Sequence, residues 1–424
     1  MDNRMKVKYL IIGGGISGLS FAKNCDDDYL ILEKTDSIGG YCKTFFVKDY
    51  VWDYAGHFYH FKNDKIKNEF LQSYKQDEII NKIKNTKILY NDKLINYPFQ
   101  TNIHQLDKDE FIDCLYDLYN KEEKEKYDSF VDMLYGKFGN SIVNKFLKPY
   151  NEKLYSCDLN LLDIDAMGRF FPYANLDDII KNMKLNNSNS YNDTFLYPKL
   201  GAQSYINKLF EKIDKNKILY NAVVNNIDYK NKIVYTDDME IEYQYLINTS
   251  PFNKFLEYIQ YNDLANKLSY NKVLVFNIGF DINSDIKEDW VYIPDKSISF
   301  YRIGFYNNIL GNDKLSVYIE LGFNKNDKID VDFYYNKVLG DLVKMKIIGE
   351  HDVPECYNSL IMDPAYVHIN KEHNKEIDSV KKLLEENNVF TIGRYGAWTY
   401  CSMEDCILMA NNTYEKIKDL ERRK

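Results

Sequence analysis

Proline is scarce in this chain, 8 in 424 residues, and cysteine is sparse and scattered. The seven cysteines (Cys25, Cys42, Cys114, Cys157, Cys356, Cys401 and Cys406) are odd in number and include no CxxC. That argues against a disulfide framework or a zinc site and fits reduced cytosolic thiols. Cys401 and Cys406 are the nearest pair, read as two thiols near a helix start. No apolar run approaches the ~18 residues of a membrane span. The stretch Tyr9 to Ile12 is too short for the apolar region of a signal peptide. The expectation is a soluble, cytoplasmic protein. There is no basic excess either: 55 Lys and Arg are interleaved with 64 Asp and Glu, a net charge of −9. This argues against nucleic acid as the main partner. It leaves room for an anionic small molecule, because a few arginines can dominate one pocket. Internal repeats and low-complexity linkers are also lacking, and no signal sets an oligomeric state.

What is present begins with a strand, a glycine turn and a helix. Val7 to Ile12 read as a buried parallel strand. Gly13-Gly14-Gly15-Ile16-Ser17-Gly18 supplies GxGxxG at Gly13, Gly15 and Gly18. Gly13 permits the tight turn, Gly15 lets a pyrophosphate approach the backbone, and Gly18 lets helix pack on strand. A second strand, Tyr29 to Glu33, puts Glu33 20 residues after Gly13, where a carboxylate meets ribose hydroxyls. This is a dinucleotide-binding βαβ unit.

Further along, residues 103–185 carry apolar side chains at three- and four-residue spacing, over 110–119, 127–134 and 141–147, as amphipathic helices do. Strands follow near 219–224, 232–235 and 245–248, then 273–280, 290–293 and 315–321. Helices are expected over 203–213, 333–345 and 376–386. The chain closes on strand 389–392, Gly393 and a helix from about Glu404. The fold class is α/β: a discontinuous Rossmann-type domain over 1–95, 191–250 and 385–424, a helical insert over 96–190, and a mixed-sheet substrate domain over 251–384.

Ile38-Gly39-Gly40-Tyr41 and Asp53-Tyr54-Ala55-Gly56-His57 resemble the segments that follow the first glycine turn in flavoproteins of the amine-oxidase type. That likeness implies FAD rather than NAD. Several further segments together resemble the UDP-galactopyranose mutase family within that superfamily. They are Gly56-His57-Phe58-Tyr59-His60, Tyr97-Pro98-Phe99-Gln100, Pro149-Tyr150-Asn151-Glu152-Lys153 and Asn192-Asp193-Thr194-Phe195. Trp290-Val291-Tyr292-Ile293-Pro294 with Phe300-Tyr301-Arg302, Asp363-Pro364-Ala365-Tyr366, and Gly393-Arg394-Tyr395-Gly396-Ala397-Trp398-Thr399-Tyr400 with Met403-Glu404 complete the set. Read without the resemblance, His57 and His60 are one core and one surface histidine, and nothing completes a zinc site with them.

The resemblance implies cofactor contacts at Gly13, Gly15, Ile16, Ser17, Gly18, Glu33, Lys34, Gly39, Gly40, Tyr41, Gly56, His57, Val224, Gly393, Arg394, Met403 and Glu404. It implies a uracil site in which Tyr97 and Phe99 sandwich the base and Gln100 pairs with its edge. Asn151, Asn192, Trp290 and Trp398 would also touch substrate. Arg169, Arg302, Tyr292, Tyr366 and Tyr400 would stabilise the leaving diphosphate, with His57 shaping the flavin's surroundings. The implied reaction interconverts a UDP-hexopyranose and a UDP-hexofuranose, with N5 of reduced FAD as nucleophile. A reductant such as NAD(P)H or a flavin-reducing system would supply the electrons. The sequence departs from the family at Leu154-Tyr155, where Trp is usual two residues after the lysine. Val367 stands where Pro is usual, and the loop Gly201-Ala202-Gln203-Ser204 also differs. Two other classes stay open: an FAD oxidoreductase of the amine oxidase or protoporphyrinogen oxidase type, and a non-catalytic flavin- or nucleotide-sugar-binding module.

Overall fold

The structure, a computed structural model, describes residues 4–26, 28–185 and 194–423. Its first sheet is built around β1 (Arg4–Ile12), which leads through the glycine turn into α1 (Ile16–Ala22) and then to β2 (Tyr29–Leu32). β1 runs parallel to β2 on one side and to Glu240–Asn248 on the other. Val389–Thr391 and Ile218–Leu219 extend the parallel set at its two flanks. All of β2 is buried, and β1 is buried from Tyr9 onward. Helices cover both faces of such a sheet, which is why its central strands are uniformly apolar.

A second sheet of seven strands has the spatial order 354–362, 271–283, 314–324, 302–305, 290–292, 86–90, 93–96. Every neighbouring pair in it is antiparallel except Trp290–Tyr292 with Thr86–Tyr90. The third part is helical, with helices Lys108–Tyr119, Phe130–Ile142, Lys148–Tyr155 and Leu176–Leu185. The expected helices at 127–134 and 141–147 are one helix followed by a wider turn at Val143–Leu147. The helix is interrupted at Gly139, whose φ is 73° and whose absent Cβ would lie 2.5 Å from the Asp117 carbonyl oxygen. Among the described residues no helix is long and apolar enough to cross a membrane.

Three of the expected domain boundaries move. Strands 86–90 and 93–96 belong to the second sheet, not to the first domain, because they pair with Trp290–Tyr292. Helices Phe252–Tyr258 and Lys371–Glu386 pack on the first sheet, not within the second domain. Phe252, Phe255, Leu256, Ile377, Val380 and Leu384 share one core with Leu10, Leu30 and Leu246. Sequence patterning identifies an apolar helix face but not which sheet it covers.

A buried carboxylate ties the hairpin Thr44–Val47/Tyr50–Asp53 to the chain that follows the helical part. Asp53 is fully buried. It accepts from Thr44 Oγ1 at 2.5 Å, Tyr197 OH at 2.8 Å and Ala202 N–H at 3.1 Å. Burial raises its pKa to about 7, against the lowering effect of those three donors. The folded state therefore holds a proton that the unfolded state releases near the ordinary carboxylate range. The contribution is complete below that range and is lost as pH rises through about 7. Denaturant midpoints measured from acid to neutral pH should fall as pH rises toward 7. The Asp53→Asn variant should lack that slope; equal slopes in the two proteins would refute this assignment.

Candidate functional site

The C-terminal ends of β1, β2 and Glu240–Asn248 open onto a cavity of about 1020 Å³, the place where open α/β sheets bind ligands. Its walls come from all three parts of the molecule: 12–43, 222–224, 249–258 and 394–406 from the first, 146–154 and 169–172 from the helices, and 290–292, 302, 318–320 and 361–366 from the second sheet and the segment after it. The volume reaches the upper end of the ~300–1,000 Å³ typical of one small-molecule site.

The glycine turn is built as its spacing requires. Gly13 has φ +103°, and a Cβ there would meet Thr249 Oγ1 at 2.3 Å. Thr249 in turn donates to the Ile12 carbonyl at 2.7 Å. A Cβ on Gly18 would sit 2.0 Å from the Gly13 carbonyl oxygen, whereas one on Gly15 would meet nothing within 4 Å. Gly18 therefore serves helix packing, and Gly15 faces open space where a ligand can approach the backbone. The second glycine pair lies alongside: Gly39 N–H donates to the Gly14 carbonyl at 2.9 Å. Gly393, with φ +80°, packs against Ser17, leaving 2.2 Å between a would-be Cβ and Ser17 Oγ. Glu33 is buried at the strand end. Its Oε2 accepts from Gly14 N–H at 2.8 Å and its Oε1 from Thr35 N–H at 2.9 Å, so the carboxylate braces the turn that it borders.

Charge in the cavity opposes charge on the whole chain. The protein carries −9, yet seven lining side chains are Lys or Arg and three are Asp or Glu. A low-dielectric cleft of one sign concentrates ligands of the other. The three arginines differ. Arg302 is committed to Glu320, with Nη2 at 2.7 and 2.6 Å from its two oxygens and Nε at 3.0 Å. Tyr301 OH adds a bond of 2.6 Å to the same carboxylate. Arg169 bonds Asp405 at 2.6 Å and lies over the Phe170 ring. Arg394 donates to the Cys401 carbonyl at 3.0 Å and sits over the rings of Tyr400 and Tyr366, 4.5 and 5.1 Å away. Among the described residues no carboxylate lies within 4.0 Å of Arg394.

His57 lines the cavity with Nδ1 3.1 Å from the Ala55 carbonyl oxygen. A carbonyl only accepts, so Nδ1 carries the proton and Nε2 is a bare acceptor. Burial lowers the pKa of His57 to about 4, so the ring is neutral at pH 7. Tyr292 and Tyr366 are pushed up by burial, against the lowering effect of Arg302, and remain hydroxyl donors.

Tyr97, Asn151, Arg169, Trp290, Tyr292, Arg302, Tyr366, Arg394, Tyr400 and Met403 all reach this one cavity. So do Ile16, Ser17, Lys34, Gly39, Gly40, Tyr41, Gly56 and Val224. Six expectations need correction, and the first two are Gly18 and Gly393, which pack against Gly13 and Ser17 and do not line the cavity. Phe99 is fully buried and stacks on Phe146 at 5.2 Å, so it cannot sandwich a base with Tyr97. Gln100 is also fully buried, its Nε2 spent on the Pro172 carbonyl. Trp398 packs in the core of the first domain with its ring edge on Tyr270. Glu404 does not line the cavity: its Oε1 accepts from the backbone N–H groups of Lys62 and Asn63 at 2.9 and 2.7 Å, and its Oε2 lies 3.8 Å from Arg169. Asn192 lies outside the described residues. The divergent loop Gly201–Ser204 does not line the cavity: Gln203 and Thr44 bond each other, and Ala202 N–H is held by Asp53.

Two residues were missed. Glu320 sits inside the apolar strand Lys314–Asn324, and a lone carboxylate in such a run must have a buried partner; that was the available signal. Lys153, quoted only as part of a motif, donates to the carbonyls of Ile293, Asp295, Ile298 and Phe300 at 2.5–3.0 Å. It thereby fixes the loop that joins Tyr292 to Arg302.

Residues 11–74 match the family model described as an NAD(P)-binding Rossmann-like domain. The whole chain is similar to a crystal structure of reduced UDP-galactopyranose mutase, at TM-score 0.91 and 20% identity, over 98% of this chain and 94% of that one. It is similar to a provisional protoporphyrinogen oxidase from Exiguobacterium sp. 255-15, at TM-score 0.78 and 17% identity, over 97% and 99% of the two chains. Putrescine oxidase bound to putrescine gives TM-score 0.67 and 13% identity, over 98% and 100%. The chain therefore has the fold these three proteins share, with a Rossmann-like dinucleotide-binding domain at its N-terminus.

Proposed function

We propose that this chain is a flavoprotein that holds FAD along the glycine turns and interconverts the pyranose and furanose forms of a UDP-hexose in the same cavity. The observation that carries the reading is one cation-rich cavity lined by residues from all three parts of the molecule. Nucleotide-type glycine loops form one end, and aromatic, arginine and tyrosine side chains form the other. The residues fit FAD: Gly15 leaves open backbone for a pyrophosphate, and Glu33 lines the cavity at the end of β2, where a carboxylate can meet ribose hydroxyls. When bound in reduced form, FAD supplies a nucleophile for the anomeric carbon.

The protein's share is binding, orientation and charge. Arg394 supplies positive charge to the diphosphate, with hydroxyl donors from Tyr292, Tyr366 and Tyr400 around it. Stabilising a leaving diphosphate needs such fixed donors. His57, neutral and protonated on Nδ1, offers an acceptor and no proton. With Phe99 and Gln100 in the core, the base site moves to Tyr97, Tyr150 and Tyr292. The Tyr292 ring stands 5.1 Å from that of Tyr97 and 5.2 Å from that of Tyr150. Asn151 Nδ2 donates to the Leu147 carbonyl at 2.6 Å, which turns its buried, unpartnered Oδ1 the other way. That oxygen suits the N–H of a uracil edge. The fold is also that of oxidases, so oxygen uptake with a reducing substrate is the contrasting outcome.

Protein reduced with dithionite should convert UDP-galactofuranose, or its N-acetyl analogue, to the pyranose without net flavin oxidation. Activity equal in the oxidised protein, or oxygen consumption in place of isomerisation, would reject the reading.

UDP binding should weaken by about 2- to 10-fold in Asn151→Leu, the value of one neutral hydrogen bond. Calorimetry that finds no change would remove Asn151 from the base site.

Arg302→Ala should act on stability first. It strands Glu320, and breaking a buried pair costs about 3–5 kcal/mol of stability. Adding Glu320→Gln should restore most of the denaturation midpoint and, with the wall rebuilt, most of the UDP affinity. A double variant that folds and still fails to bind UDP would show that Arg302 touches the ligand directly.

A further inference from the structure

The cavity wall carries a thiol pair that this chemistry does not use. Cys401 and Cys406 both line the cavity, and their sulfurs are 3.7 Å apart. Among the described residues no other two thiols meet. Their placement follows from the start of helix Met403–Arg422. Ser402 caps it, accepting from Asp405 N–H at 3.2 Å, while Asp405 Oδ2 accepts from Ser402 N–H at 2.8 Å. Cys401 precedes the cap and Cys406 occupies the fourth helical position, where two apolar side chains ordinarily clasp a helix start. The capping box fixes both backbones, so the sulfurs are held together without a covalent bond.

The two thiols are not equivalent. The thiolate of Cys406 is favoured by the Cys401 S–H, opposed by burial, and favoured again by the Ser17 hydroxyl and by the backbone N–H and charge of Arg394. Cys401 is held protonated, by its hydrogen bond to Cys406 and by burial. A low-pKa thiolate beside a protonated partner is the arrangement of an attacking and a resolving cysteine.

We propose that Cys401 and Cys406 are a peroxide-reactive dithiol in the cofactor cavity, closing to a reversible disulfide. The Cys406 thiolate attacks one oxygen of a hydroperoxide. The O–O bond breaks, the other oxygen leaves as hydroxide or alkoxide and takes up a proton, and Cys406 becomes a sulfenic acid. Cys401 then attacks the Cys406 sulfur. The sulfur–sulfur bond forms, and the sulfenic oxygen leaves as water with the Cys401 proton. The thiols lose two electrons in total and the peroxide gains them. Closure brings the sulfurs from 3.7 Å to about 2.05 Å. It pulls on the carbonyl of Cys401, which anchors Arg394. Reduced flavin meeting oxygen would release hydrogen peroxide in this cavity; that source alone rests on the proposed function.

The test reads sulfur rather than turnover, so it stands or falls separately from the flavin reading. The protein as purified is exposed to stoichiometric hydrogen peroxide, alkylated under denaturing conditions, digested with trypsin and weighed by mass spectrometry. Both cysteines fall on one tryptic peptide, 395–416. The expected result is a peptide lighter by two hydrogens and free of alkylation, restored by dithiothreitol, with the other cysteines still alkylated. In Cys401→Ser, Cys406 should stop as a sulfenic acid that dimedone traps. In Cys406→Ser, Cys401 should remain alkylatable. If Cys401 and Cys406 in the wild type are still alkylated, or if Cys406 overoxidises without a disulfide, the proposal is overturned.

Discussion

The second-sheet wall of the cavity depends on one buried ion pair. Arg302 and Glu320 face each other on adjacent antiparallel strands, and neither could be buried alone. A guanidinium in a dry wall needs a carboxylate, and a carboxylate inside an apolar strand needs a cation. Satisfying one another, they put a rigid, nearly neutral fork at the junction of sheet and helical domain. Lys153 clamps the loop before Arg302 with four carbonyl contacts. Tyr292 is therefore held on the neighbouring strand in a fixed relation to Arg302.

Because that pair cancels its own charge, the cavity's attraction for anions comes from elsewhere. Arg394 rests on two tyrosine rings and a carbonyl instead of a carboxylate, and lysines line the remaining wall. An acidic protein thus presents a cationic cleft. The glycine loops and the aromatic, arginine-bearing wall line one space, and Arg394 with the start of the last helix lines it too.

Much of this was legible in the sequence where chemistry is local. The glycine turn, β1, β2 and the placement of Glu33 follow from spacing alone, because Gly13 and Gly18 leave no room for a side chain. The last helix was legible from Glu404 onward, but the role of Glu404 was not, since its partners Lys62 and Asn63 lie far away in sequence. Phe99 and Gln100 misled for a related reason. An aromatic–amide motif looks the same whether it faces a ligand or a core, and contact with Phe146 decides the matter. Domain boundaries slipped where helices 252–258 and 371–386 cross back to the first sheet. An amphipathic pattern records that a face is buried, not against what.

The central claim is that cofactor and sugar nucleotide share one cavity, and its most direct test is optical. Flavin-loaded protein is titrated with UDP while flavin absorbance is recorded. A shared cavity predicts a saturable change in the flavin spectrum, with ADP requiring higher concentrations to produce it. UDP that leaves the flavin spectrum unchanged while calorimetry shows it bound would place the nucleotide elsewhere and contradict the account.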